Sequence, residues 1–218
     1  MIYAIPKKPF PAAPRQMHAT NRAYRFIARE ETAALPFLPL ISIRRHKWGV
    51  LTYTEFCKLE DLTISQVLRI NPDGFSIYDG ENYTIIYNDR VQPGRILFTL
   101  THEIGHIECN HFIEFEQTIL GRNGLSKDQY AVLDAEADCF ARNVTAPLPI
   151  AKLVQHYGPK AAMSLFGITK TAWSLRLFWL KRDADNLMPM LLNAVSFKLR
   201  DYIDEMDSFE GAMPDWEE

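Results

Sequence analysis

An apolar run of helical length with histidines set into it constrains this sequence more than any other feature: RILFTLTHEIGHIECNHF, residues 95 to 112. Successive helical residues turn by about 100°, so positions four apart differ by only about 40° and one turn of rise. His102 and His106 therefore face one point and can both reach one ion, the spacing that zinc uses. Glu103 lies on the adjoining face, too close to be a comfortable third ligand but well placed to take a proton from a water at that ion. Gly105 keeps the surface beside the histidines low. Cys109, seven residues from His102, is about 10 Å further along the axis, too far to share a zinc, and reads as a small packing residue. His111 follows His106 by five residues and points elsewhere, which fits a structural hydrogen bond.

Two histidines leave zinc short of a protein ligand. The candidate source is the next helical stretch, LDAEADCFARN, residues 133 to 143, whose apolar stripe is Leu133, Ala137, Phe140, Ala141 and Val144. Asp134 and Asp138 stand one turn apart along one flank of that stripe. That flank can supply a ligand and a supporting carboxylate together, with Asp134 on the metal and Asp138 accepting the far ring N–H of a ligating histidine. Glu136 projects from the other side of the stripe. Read without the upstream histidine pair, these acids would be a solvated helix face.

Around these segments the chain reads as follows. Prolines at 6, 9, 11 and 14 make residues 1–15 an extended arm. Helical spacing predicts a helix from Gln16 to Ala34; after a proline-punctuated stretch the pattern predicts a strand over Leu40–Arg44, a short helix capped by Thr52 or Thr54 and running to Leu59, and another over Ser65–Ile70. Phe75–Tyr78 and Tyr83–Tyr87 alternate in polarity around Asp79-Gly80, the signature of a β-hairpin. Tyr83–Asn88 is expected to present an edge to which an extended peptide adds as a strand. The histidine helix opens near Pro93 and runs to about His111. The acidic helix opens on a capping box at Ser126–Gln129 and ends near Ala146. Beyond Pro149 the pattern is helical, with breaks at Tyr157-Gly158-Pro159 and Phe166-Gly167. There AAMSLFGITKTAWSLRLFW has the form of a helix-turn-helix capped by Thr169, with Trp173, Leu177 and Leu180 read as core.

Taken together, RILFTLTHEIGHIECNHF followed by EADCFARNVTAP resembles the ImmA/IrrE family of zinc metallopeptidases (peptidase family M78), whose members pair an FTLAHELGH helix with a downstream E-x-E-A-(N/D)-x-F-A helix ending near a proline. The likeness covers about residues 74 to 150. It implies a mainly helical α+β fold: a zincin-like catalytic core over 16–150 with a small hairpin, helices 151–195 packed on the same core, and an acidic tail, 196–218. It also implies a cytosolic zinc endopeptidase that, in several members, cleaves a helix-turn-helix repressor and so releases stress, phage or mobile-element genes. Carried across, His102 and His106 match zinc ligands, Glu103 the catalytic glutamate, and Asp134 the first acid of the second motif. The family usually has glutamate there. Either the helix sits closer to suit the shorter aspartate, or Glu136 is the third ligand instead. For stabilising the oxyanion, His156 and Tyr157 are the candidates besides zinc.

Composition bounds the alternatives. With 218 residues the chain can bury a sizeable core without disulfides. Its three cysteines, Cys57, Cys109 and Cys139, form no C-x-x-C pair and fit a reducing cytosol. No segment has the length of a signal peptide's apolar core or of a membrane span. The net charge of -3 hides +7 over residues 1–50 and -6 from Ser196 onward, both read as solvated surface. The competing class is a non-catalytic zinc-binding regulator that binds protein or DNA through the C-terminal helices. Against DNA stands the thin supply of positive charge there, Lys170, Arg176, Lys181 and Arg182.

Overall fold

The structure, a computed structural model, describes residues 10–30, 34–116 and 125–210. Residues 1–9 of the expected arm, 31–33 of the first expected helix and 211–218 of the acidic tail lie outside them. In chain order the elements are α1 (Gln16–Arg29), α2 (Pro39–Arg45), β1 (Gly49–Thr52), α3 (Tyr53–Glu60), α4 (Ile64–Ile70), β2 (Gly74–Tyr78), β3 (Tyr83–Tyr87) and α5 (Pro93–Glu108). They continue with α6 (His111–Glu114), α7 (Lys127–Thr145), α8 (Leu148–Val154), a 3-10 turn (Gln155–Tyr157), α9 (Gly158–Phe166), α10 (Lys170–Asn186), α11 (Pro189–Lys198) and α12 (Arg200–Glu210). This is a mainly helical α+β arrangement with one small sheet.

Local chemistry explains most of the boundaries. Thr52, Thr63 and Ser126 each close a capping box, with Glu55, Gln66 and Gln129 reaching back to the cap's own N–H. The hairpin turn is tied by Asp79, whose Oδ1 accepts from the backbone of Glu81 at 2.9 Å and Asn82 at 2.7 Å, while Gly80 takes φ 105°. The strand predicted over Leu40–Arg44 is helical instead. Pro39 occupies the first turn of α2, and the Ser42 hydroxyl donates to Glu30 at 2.9 Å.

The sheet order is β1-β3-β2, with β1 parallel and β2 antiparallel to β3. Tyr83–Tyr87 is therefore the central strand, and the free edge expected there does not exist. Gly49–Thr52 fills it, a strand of four residues too short to show alternation. Along β3, Ile85 faces the main helical core whereas Ile86 joins Tyr53, Phe56, Val67 and Phe75 under α3 and α4. Both faces of the sheet are covered.

The main core forms between α5, α7 and α1. Leu100, Ile104 and Ile107 meet Leu133, Phe140 and Val144, with Tyr24, Phe26 and Ile27 against them. Buried Tyr24 accepts the Leu148 N–H at 2.7 Å, which anchors the start of α8 to α1. At the far end of α7, Asp183 of α10 accepts from Arg142 at 2.8 Å, Arg176 at 2.7 Å and Asn143 at 3.1 Å. The buried stripe of α10 is thus Trp173, Arg176 and Leu180, and Leu177, expected in the core, is 39% exposed. An arginine takes the core position because a buried aspartate neutralises it, which also withdraws Arg176 from any positive surface.

The boundaries expected at 150 and 196 fall inside α8 and α11. The chain beyond 196 is helical to Glu210, with Leu199 buried and the Tyr202 hydroxyl accepting the Leu35 N–H at 3.1 Å. Apolar positions between the acids hold α12 down. No helix among the described residues is long and apolar enough to cross a membrane.

Candidate metal centre

Helix α5 carries His102, Glu103 and His106 on its inner side, where α7 crosses it. The two helices approach closely because of Gly105: a Cβ there would lie 3.1 Å from the Ala137 carbonyl oxygen and 3.1 Å from Phe140. That closeness brings the short aspartate within reach of the histidines. Asp134, one carbon shorter than glutamate, brings Oδ1 to 3.2 Å from His102 Nε2 and 4.0 Å from His106 Nε2, and the two ring nitrogens are 3.0 Å apart. Gly105→Ala is expected to overpack this crossing, costing about 1–3 kcal/mol and weakening divalent-metal binding. Thermal unfolding and a metal titration of that variant check both effects.

The three donor atoms lie within 4.8 Å of one another and could hold a metal ion. A tetrahedral zinc with bonds of about 2.0–2.2 Å keeps its ligand atoms about 3.2–3.6 Å apart. The observed separations bracket that range, and two imidazoles with one carboxylate are donors zinc accepts.

Burial opposes a charged ring at His102, but the carboxylates of Asp134 and Asp138 outweigh it and hold its pKa well above the ordinary imidazole value. Loading a cation must therefore displace a proton from this site. Asp138 Oδ1 stands 2.8 Å from His102 Nδ1, the ring nitrogen turned away from the donor group. Burial acts to raise the Asp134 carboxyl, yet its pKa is lowered by His102 and by a hydrogen bond from Tyr130. Glu103 is buried, and that burial pushes its carboxyl up to about 7, although neighbouring His102 and the Ser76 hydroxyl favour the ionised form. Ser76 of β2 donates to Glu103 Oε2 at 2.6 Å. The Ser76 contact ties the sheet to the buried carboxylate of Glu103. A carboxyl poised near neutrality is suited to both accepting and returning a proton.

The Peptidase_M78 family model, described as an IrrE N-terminal-like domain, matches residues 64–177, just over half of the chain. The chain belongs to that family. Its members are metallopeptidases, and the fold is the mainly helical, zincin-like one that the motifs imply. No curated protein matches the sequence. The matched residues run from α4 into α10 and take in both motif helices, the hairpin and the donor group.

Within this M78 chain His102, His106 and Asp134 come together, with Asp138 behind His102. Glu136, the alternative third ligand, does not join them. It is fully buried on the opposite side of α7, where Oε2 meets His111 Nε2 at 3.1 Å and the Arg15 side chain grips both oxygens. Helix α5 ends earlier than the sequence predicts, because Asn110 adopts a left-handed conformation at φ 66°. That turn brings His111 back beneath His106, ring nitrogens 2.8 Å apart. His156 and Tyr157, the candidates for stabilising an oxyanion, lie on the 3-10 turn between α8 and α9, with His156 exposed and in contact with Gln155. Ser76 and Arg15 are the residues that sequence reasoning missed. Ser76 left one signal, a small polar residue between Phe75 and Ile77 in a strand; Arg15 left none among the other basic residues of the first fifty, and it is not the solvated charge expected of it.

Proposed function

We propose that the protein is a zinc-dependent endopeptidase that cleaves a helix-turn-helix transcriptional repressor, and so controls the genes of a stress response or a mobile element. The observation that carries this reading is the donor triangle of His102, His106 and Asp134 with buried Glu103 beside it. Three protein donors leave a coordination position open, as catalysis requires and a closed structural site does not allow. When bound, zinc supplies a Lewis acid for the scissile carbonyl and acidifies a water. Glu103 removes the proton of the attacking water and delivers it to the leaving amine, held in place by the Ser76 hydroxyl.

Room for a protein substrate lies alongside. A cavity of about 1150 Å³ opens between Phe98 of α5, Asp138 of α7 and Leu175 and Trp179 of α10, one helical turn from His102 and Asp134. Strand β2, which carries Ser76, has no second partner among the described residues, so its outer edge is where an extended substrate segment adds to the sheet. The free, buried cysteines suit a reducing cytosol.

Incubation of the zinc-loaded protein with candidate helix-turn-helix repressors, followed by mass analysis of fragments, tests the reading. Discrete fragments are expected, lost on chelation and recovered on adding zinc. Cleavage indifferent to chelator, or intact repressors throughout, would count against it.

A further inference from the structure

The hydrogen bonds behind His106 run without a break from the donor group to the N-terminal arm. His106 turns Nε2 toward His102 and Asp134 and Nδ1 toward His111. A ring that offers its Nε2 lone pair to a metal must carry its hydrogen on Nδ1. His111 Nδ1, 2.8 Å away, must then accept, which leaves the hydrogen of a neutral His111 on Nε2, 3.1 Å from Glu136 Oε2. Glu136 can only accept, and everything around it donates: His111 Nε2, Arg15 Nε at 2.9 Å, Arg15 Nη2 at 2.9 Å and the Arg15 backbone N–H at 2.8 Å. The remaining Arg15 nitrogen, Nη1, bonds both oxygens of Glu114 at 2.9 and 2.8 Å. Every hydrogen meets a lone pair in one direction only. Reversing the His111 ring would set two N–H groups against each other and leave Glu136 facing a bare nitrogen.

We propose that His111, Glu136 and Arg15 are positioning residues for His106: they fix its tautomer and ring plane and so set the zinc affinity of the site, with Arg15 as the outer clamp. The proposal rests on reading His106 as a zinc ligand. His102 is supported differently. Its Asp138 side chain is 50% exposed, so water can take over that role, whereas His111 and Glu136 are both 0% exposed and nothing can replace them.

The test uses the full chain, stripped of metal and titrated with zinc against a chromophoric chelator, with the visible spectrum of the Co2+ form as a report on ligand geometry. Glu136→Gln puts an amide NH2 where donors converge and is expected to weaken zinc binding by about 10–100-fold, more than Asp138→Asn, and to alter the Co2+ spectrum. Arg15→Ala should weaken it by about tenfold, with Arg15→Lys recovering part of the loss, since a point charge lacks the fork of a guanidinium. A second measurement needs no variant. Imidazole 15N shifts of the zinc-loaded protein should show His111 protonated on Nε2 alone. Protonation of His111 on Nδ1, or a folded Glu136→Gln with unchanged affinity and spectrum, overturns the relay while the metal site stands. A wild-type chain that binds no zinc overturns the metal reading and the relay with it.

Discussion

Glu103→Gln is expected to lower the rate of peptide hydrolysis by about 10²–10⁴-fold while zinc stays bound. The substitution keeps the size of the side chain, and the Ser76 hydroxyl can still donate to the remaining amide oxygen, so the buried pocket between β2 and α5 stays filled. What disappears is the capacity to accept a proton. His102, His106 and Asp134 are untouched, so zinc stoichiometry should match that of the parent protein. The pair of measurements is fragment formation from a cleavable repressor and metal content of the same preparation. A variant that still cleaves at the parental rate would remove Glu103 from the mechanism, and one that loses zinc would make it a structural residue.

The second large effect is on stability. Asp183→Ala should destabilise the protein by about 3–5 kcal/mol, because it leaves the guanidinium groups of Arg142 and Arg176 without their anion in a dry interior. Asp183 is fully buried and Arg176 is 1% exposed, so little water can compensate. Arg176 would keep its bonds to the Ala146 carbonyl at 2.7 Å and to Asn143 at 3.2 Å, which carry no compensating charge. The loss should appear as a lower urea midpoint with an unchanged slope. A shift worth less than about 1 kcal/mol would mean that the cluster relaxes into solvent on losing its centre. Since Arg142 lies on α7 with Asp134 and Asp138, opening this end is expected to loosen the helix that carries them as well.

Much of the site was legible because its logic is local. The i, i+4 relation of His102 and His106 needs only helical periodicity, and so does the pairing of Asp134 with Asp138 one turn apart. The hairpin was legible for the same reason, through two alternating runs and an Asp-Gly turn. Local reasoning went wrong where a neighbour distant in sequence intervened. Leu40–Arg44 alternates like a strand but starts at Pro39 and turns its serine to Glu30. Tyr83–Tyr87 looks like an edge until β1, more than thirty residues earlier, pairs with it. The helix expected through His111 stops at Asn110, whose ability to adopt a left-handed backbone is visible in its type but not its use.

Residue types at helical spacing were enough, by themselves, to place two histidines on one helix face with a glutamate beside them and two aspartates one turn apart on a later helix. These follow from the geometry of single elements, which each segment carries within itself. Which of Asp134 and Glu136 stands beside His102 and His106 does not. Both sit on the same helix two residues apart, and what separates them is which side of α7 turns to α5. That is settled by the close crossing at Gly105 and by Arg15, 121 residues away in sequence, drawing Glu136 to the opposite side. The same holds for Ser76 on Glu103 and His111 under His106: a buried polar group must find its partner somewhere, and only the packed chain brings the two together.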